Sequence, residues 1–235
     1  LSLASTLAAL APEWSPPPNP DPEVILEEAR ADAAAGRNED ALAKYVWFHN
    51  NAVRLKKSLV GVRNSYAVSE WSRFGKVYAP ALVKIRATRD AAVKAVKAGK
   101  EGEEAFVDVT AINRALDEED GTHELFLYLD ARRPDLAKQV YKHAQSALIA
   151  KKAYKLCGKY LDIKEGIPRL TKSVQGMLEL HKTGEFTAQQ LVQIDKVWID
   201  DCATYIALLA INGRRKDAEK GAGAIRKEWD DPGFH

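Results

Sequence analysis

From Glu23 to the C-terminal end, apolar residues recur every three or four positions, and no stretch of four or more β-branched and aromatic residues alternates cleanly with polar ones. Ala, Leu, Lys, Glu and Arg, which retain most of their side-chain freedom in a helix, dominate every segment. The pattern predicts an all-α protein with helices near 22–35, 39–54, 59–75, 79–98, 103–117, 121–131, 134–149, 151–161, 165–183, 188–212 and 214–230. Links between them are short, so neighbouring helices must run antiparallel. Gly36, Gly75, Gly99, Gly184 and Gly213 each close a periodic segment, where a left-handed C-cap is expected. Asn38, Asp162 and Thr187 stand where side chains can cap the following helix. Tyr45, Phe48, Tyr66, Trp71, Phe74 and Tyr78 share spacings of three, four or seven and are expected to interlock as core between the first hairpins.

The start of the chain breaks this pattern. Pro12, Pro16, Pro17, Pro18, Pro20 and Pro22 are six of its ten prolines, and they predict an extended strap rather than a helix. Ahead of the strap, Leu3, Leu7, Leu10 and Trp14 share one face of a short helix expected to dock on the body. Ala9-Leu10-Ala11 also has the small-x-small form of a secretory cleavage site, without a basic region before it. We therefore divide the chain into residues 1–22, a short helix plus strap, and 23–235, a helical repeat domain.

The repeat rests on particular residues. A glycine corner is followed five positions later by a small residue and four further on by a large one at Gly36, Ala41 and Tyr45. Gly213 and Ala218 keep the first two positions, with Ala222 at the third. Around Gly75, Trp71 precedes the corner, but Pro80 holds the small position and Ala81 serves only with a one-residue shift; after Gly184 that position is Gln189. These segments resemble the tetratricopeptide repeat, and residues 44–52 and 106–113 are similar to uncharacterised bacterial proteins of that kind. The resemblance implies antiparallel hairpins stacked as a right-handed solenoid that binds a protein or peptide on its concave face. Laid on residues 60–76 and 23–36, the repeat points Ser65, Ser69, Arg73 and Arg30 into that face, where the two arginines could grip carboxylates.

Composition narrows the function further. With 235 residues, 46% hydrophobic and 29% charged, the chain can bury a core. Thirty-five Lys and Arg against 33 Asp and Glu leave a formal charge of +2, too little for a nucleic-acid footprint, and the basic clusters at Arg54, Lys56 and Lys57, Lys151 to Lys159 and Arg214 to Lys216 read as solvated helix faces. The longest uncharged runs, Leu1 to Pro12 and Cys202 to Gly213, fall short of a membrane span. Cys157 and Cys202 lie in apolar helical stretches and are expected as buried thiols, with a disulfide the alternative in an oxidising compartment.

No phosphate loop, nucleophile elbow or dinucleotide fingerprint is present, and no two of His49, His123, His143, His181 and His235 stand three or four apart, so neither a catalytic set, a metal site nor a cofactor is expected. His123-Glu124 lacks the second histidine of a zinc helix, and Asp117 to Asp120 reads as a solvated turn with Asp120 or Thr122 capping the next helix. The leading expectation is a non-catalytic, cytoplasmic protein- or peptide-binding module, or a secreted or periplasmic one if residues 1–11 are a signal remnant. The alternative is an enzyme or small-ligand protein with an inter-helix pocket built on His123, Asp117 and Asp120, or His49. Self-association through Ala203 to Ile211 is a third reading.

Overall fold

Proline at the first helical position costs no hydrogen bond, and the Asp21 carboxylate accepts from the Glu23 amide at 2.9 Å, so helix α1 starts at Pro22, directly after the strap. The computed structural model describes residues 14–100 and 102–229. In chain order it contains α1 (Pro22–Ala34), α2 (Asn38–Leu55), a 3₁₀ turn (Lys57–Leu59), α3 (Val60–Val62), a π segment (Arg63–Ala67), α4 (Val68–Gly75), α5 (Ala79–Ala98), α6 (Gly102–Ala115) and α7 (Asp120–Arg132). The series continues with α8 (Pro134–Ala150), α9 (Tyr154–Tyr160), α10 (Ile163–Thr183), α11 (Ala188–Ile211) and α12 (Arg215–Glu228). No strand occurs among the described residues, so the protein is all-α. The expected helix through Leu3, Leu7 and Leu10, and the cleavage-site reading of Ala9-Leu10-Ala11, lie outside the described residues.

Five helix ends share one corner. Gly36, Gly99, Asp117, Lys152 and Gly213 all take left-handed φ, at 75°, 77°, 58°, 56° and 73°. The amide after each donates to the carbonyl five residues back: Arg37 to Asp32 at 2.9 Å, Lys100 to Ala95 at 2.9 Å, Glu118 to Asn113 at 2.8 Å, Ala153 to Leu148 at 2.9 Å and Arg214 to Leu209 at 2.9 Å. This is the Schellman arrangement, which satisfies carbonyls that a helix end leaves open. Five residues beyond Gly36, Asp117, Lys152 and Gly213 stand Ala41, Thr122, Cys157 and Ala218, all buried, whereas Glu104, five beyond Gly99, is exposed. Four further on, Tyr45, Phe126 and Leu161 are buried and Ala222 is half-buried.

Gly75 departs from this scheme. It does not adopt positive φ, and the C-cap Lys76 is right-handed. Its use is close approach: a Cβ there would stand 3.0 Å from the Leu82 amide nitrogen, so α4 and α5 meet backbone to backbone. Ala81, one residue late, is fully buried. Thr187 and Asp162 cap α11 and α10 as expected, Thr187 in a capping box with Gln190. Asn38 and Thr122 do not stand at the cap positions expected of them: α2 begins at Asn38 itself, and α7 begins at Asp120 behind Glu119, whose side chain makes no cap bond, while the buried Thr122 hydroxyl accepts from Asn113 Nδ2 at 3.0 Å.

The described residues form two compact units, divided after His143. In the first, α1 packs on α2, α4 on α5 and α6, α5 on α6, and α6 on α7. Its core holds Leu26, Tyr45, Phe48, Trp71, Phe74 and Ile112, each contributing roughly 1.5–3 kcal/mol on burial for a side chain of this size. Tyr66 is 70% exposed instead of core. The π segment adds a residue to the turn and rotates the helix phase, so Tyr66 swings outward while Ala67, Val68 and Trp71 turn in. The strap leaves this unit extended and non-helical from Trp14 to Asp21, with the Trp14 ring edge-on to Trp47 at 6.3 Å and Lys44 Nζ 5.6 Å from its centroid.

In the second unit, α10 and α11 both pack on α12, and α9 on α11. Close approach again needs glycine: a Cβ on Gly158 would fall 2.2 Å from Asn212, and one on Gly166 2.1 Å from the Tyr205 hydroxyl. Asn212 Nδ2 donates to the Tyr154 carbonyl at 2.9 Å, Tyr205 Oη to that of Asp162 at 2.9 Å, and Arg214 Nη1 to that of Leu161 at 2.6 Å, closing both ends of α9 and the start of α10. Cys157 and Cys202 are both buried thiols, and burial pushes Cys202 up to about 12.

Candidate functional site

The four residues expected to bind a partner fall on α1 and on the helical stretch from Arg63 to Gly75. Ser69 and Arg73 lie one turn apart on α4 and are exposed. Ser65, on the π segment, is exposed, and its hydroxyl donates to the Gly61 carbonyl at 2.7 Å. Arg30 and Arg73 are brought together by Glu70, which no motif singles out. Arg30 Nε donates to Glu70 Oε2 at 2.9 Å, and Arg73 Nη2 stands 3.9 Å from Glu70 Oε1. Arg30 Nη1 also donates to Glu27 at 2.8 Å. The Arg30 guanidinium is thus held by two carboxylates of its own chain, with its pKa raised above the usual arginine value by the Glu70 hydrogen bond. Arg73, with 71% of its side chain exposed, retains most of its donors for solvent or a partner.

Tyr66 extends this face. It shows that an exposed aromatic stands beside Ser65 and Ser69, on the surface rather than in the core. Tyr45 lies beneath, 5.9 Å from the Phe74 ring; burial, with the Glu70 charge adding, pushes its phenol up to about 12. The face is therefore a polar and aromatic surface over an apolar floor.

A second constellation is buried. Arg63 Nη2 donates to Asp108 Oδ2 at 2.8 Å while Nη1 reaches Asp108 Oδ1, and Nε donates to the His49 carbonyl at 2.6 Å. Nη1 also donates to Asn64 Oδ1 at 3.0 Å, and Nη2 stands 3.2 Å from His49 Nε2. Every donor-bearing nitrogen of this guanidinium is engaged, and its charge is matched by one bidentate carboxylate. Burial opposes the Asp108 charge, but the nearby His49, with Nε2 3.7 Å from Oδ2, and the Arg63 hydrogen bonds outweigh it and hold the carboxyl below its usual range. This cluster ties α2, the π segment and α6 together. Its members come from three elements, and only the π segment places Arg63 where it can reach both partners.

Of the polar groups of the pocket alternative, Asp117 and Asp120 line one open pocket of about 490 Å³ with Arg89, Asn113 and Glu118, and neither His123 nor His49 lines it. His49 is buried in the cluster just described, Asp117 forms a left-handed corner, and His123 and Asp120 stand on α7. The neighbouring Glu118 accepts from Arg86 Nη2 at 2.6 Å and from Arg89, and their hydrogen bonds override burial to keep its carboxyl low. Among the described residues, no group of three or more His, Cys, Asp or Glu side chains is placed to hold a metal ion, and no helix is long and apolar enough to cross a membrane. Comparison of the chain with protein-family models, with curated proteins and with solved structures returns no match.

Proposed function

We propose that the protein is a non-catalytic helical repeat module that binds a protein or peptide on the face formed by α1 and the stretch from Ser65 to Arg73. The observation that carries this reading is the recurrence of one corner followed by a small buried residue at Gly36, Asp117, Lys152 and Gly213, with a large buried residue four further on after the first three. Such recurrence is the local signature of hairpins built to stack in a right-handed solenoid, each burying its apolar stripe on the next. The packing of α1 on α2, and of α4 on both α5 and α6, agrees with that scheme. Stacking of this kind consumes apolar residues and leaves recognition to exposed ones, here Ser65, Tyr66, Ser69 and Arg73 beside Arg30. The corner at Asp117 and the one at Lys152 support extending the repeat through the middle of the chain.

Affinity capture with the immobilised full chain, compared with Arg30→Ala plus Arg73→Ala, tests the reading. Loss of the recovered partner in the double variant, with an unchanged melting curve, supports it; unchanged recovery rules out this face.

A further inference from the structure

Away from the α1 and α4 face, the first unit carries an open groove of about 600 Å³ between the C-terminal end of α2, the segment around α3 and the first turns of α6. Val53 and Arg54 near the end of α2, Lys57 on the 3₁₀ turn, Val60 on α3, and Glu104 and Val107 on α6 line it. Val53, Val60 and Val107 supply an apolar centre, and Val60 is 49% exposed. The flanks differ in charge. Arg54 and Lys57 stand exposed on one side without a salt bridge to any described residue, Arg54 donating only to the Asn51 side chain. Opposite them, Glu103 is taken by Lys142 at 2.8 Å and His143 at 3.1 Å, so Glu104 is the acid left facing the groove.

We propose that this groove docks an amphipathic helix of a partner protein, its apolar stripe on Val53, Val60 and Val107, its acids against Arg54 and Lys57 and a base against Glu104. The inference rests on the reading of the chain as a protein-binding module and names the partner's chemistry at a separate surface. A helix fits where an extended peptide does not. The walls are helices whose backbone groups are satisfied internally, and the side-chain oxygen Oδ1 of Asn64 already accepts from Arg63, so an added strand would find few partners for its own amides. A helix arrives with its backbone bonds made and needs only a stripe of anchors at i, i+3, i+4 and i+7. The groove's openness leaves a small molecule largely in water, whereas ligand pockets bury most of their ligand. The floor is fixed in advance, because every Arg63 nitrogen is engaged by Asp108, His49 or Asn64.

Fluorescence anisotropy with the full chain and two synthetic helices of about five turns tests the proposal. Both carry the same leucine stripe; one has Glu along one flank and Lys along the other, and the control has Lys on both. The mixed helix should bind about tenfold tighter, the size of difference that two or three exposed charge pairs can make. Arg54→Glu plus Lys57→Glu should reverse that preference, Glu104→Lys should weaken the mixed helix, and Arg30→Ala plus Arg73→Ala should leave its binding unchanged. Absence of binding, equal binding of both helices, or a preference untouched by Arg54→Glu plus Lys57→Glu overturns the groove assignment, as does a dimer of the chain that Val60→Glu dissociates. If the groove fails while Arg30→Ala plus Arg73→Ala still abolishes capture, the module reading stands without it.

Discussion

Arg63 and Asp108, 45 positions apart in sequence, face each other across the junction of the π segment and α6, with Nη2 donating to Oδ2 at 2.8 Å. Their side chains are 10% and 14% exposed, so the pair is largely withdrawn from water. Charges placed this way stabilise mainly by not being left alone.

Asp108→Asn should therefore destabilise the protein by about 3–5 kcal/mol in urea unfolding, since it strands the buried guanidinium. Arg63→Met combined with Asp108→Leu should cost clearly less than the sum of the single changes. A double variant no better than the sum would show that the two do not act as a pair.

The same carboxyl sets a pH dependence. Its folded pKa lies below the unfolded value, so its contribution is fully present above roughly pH 4 and disappears as acid protonates it in the folded state. Urea midpoints of the wild type should fall on the acid side of that value more steeply than those of Asp108→Asn. Parallel profiles would remove Asp108 from the acid transition.

Two glycines of α10 should respond oppositely to alanine. Gly166→Ala drives a methyl into Tyr205, whose hydroxyl would be 2.1 Å away, and should cost about 1–3 kcal/mol. At Gly176 no atom stands within 4 Å, so Gly176→Ala should gain roughly 0.5–1 kcal/mol from helix propensity. Thermal melts of both variants decide the matter, and equal effects would contradict the packing of Tyr205 on α10.

At the corners, Lys152→Gly should raise stability by up to about 1 kcal/mol, because a left-handed lysine costs about 1–2 kcal/mol and the added unfolded-state entropy returns part of the gain. Asp117→Gly should gain less, since aspartate tolerates that conformation better. Lys152→Val should destabilise. A stabilising valine would mean that the corner is not left-handed.

Neither thiol should react in the folded protein. Both are buried, and burial pushes Cys202 up to about 12, leaving almost no thiolate at pH 8. Titration with an aromatic disulfide reagent should find none in buffer and two in denaturant; rapid native reaction would place one of them at the surface.

The apolar period, the proline strap, the caps at Asp162 and Thr187 and the corners at Gly36 and Gly213 are properties of short segments, decided by backbone sterics and by which face of a helix is apolar. Those were legible in the chain itself, down to helix ends within a few residues. The corners at Asp117 and Lys152 were not, because a side chain disfavours left-handed φ and only the packing of the flanking helices holds it there. Tyr66 read as core because its spacing fits an unbroken α-helix, and the π segment that turns it outward is stabilised by contacts Arg63 makes with His49 and Asp108. Of the four candidate contact residues, sequence could place Ser65, Ser69, Arg73 and Arg30 on helix faces. Glu70 standing between the two arginines depended on how α1 and α4 lie against each other, and a pairing across 40 residues leaves no trace in local periodicity.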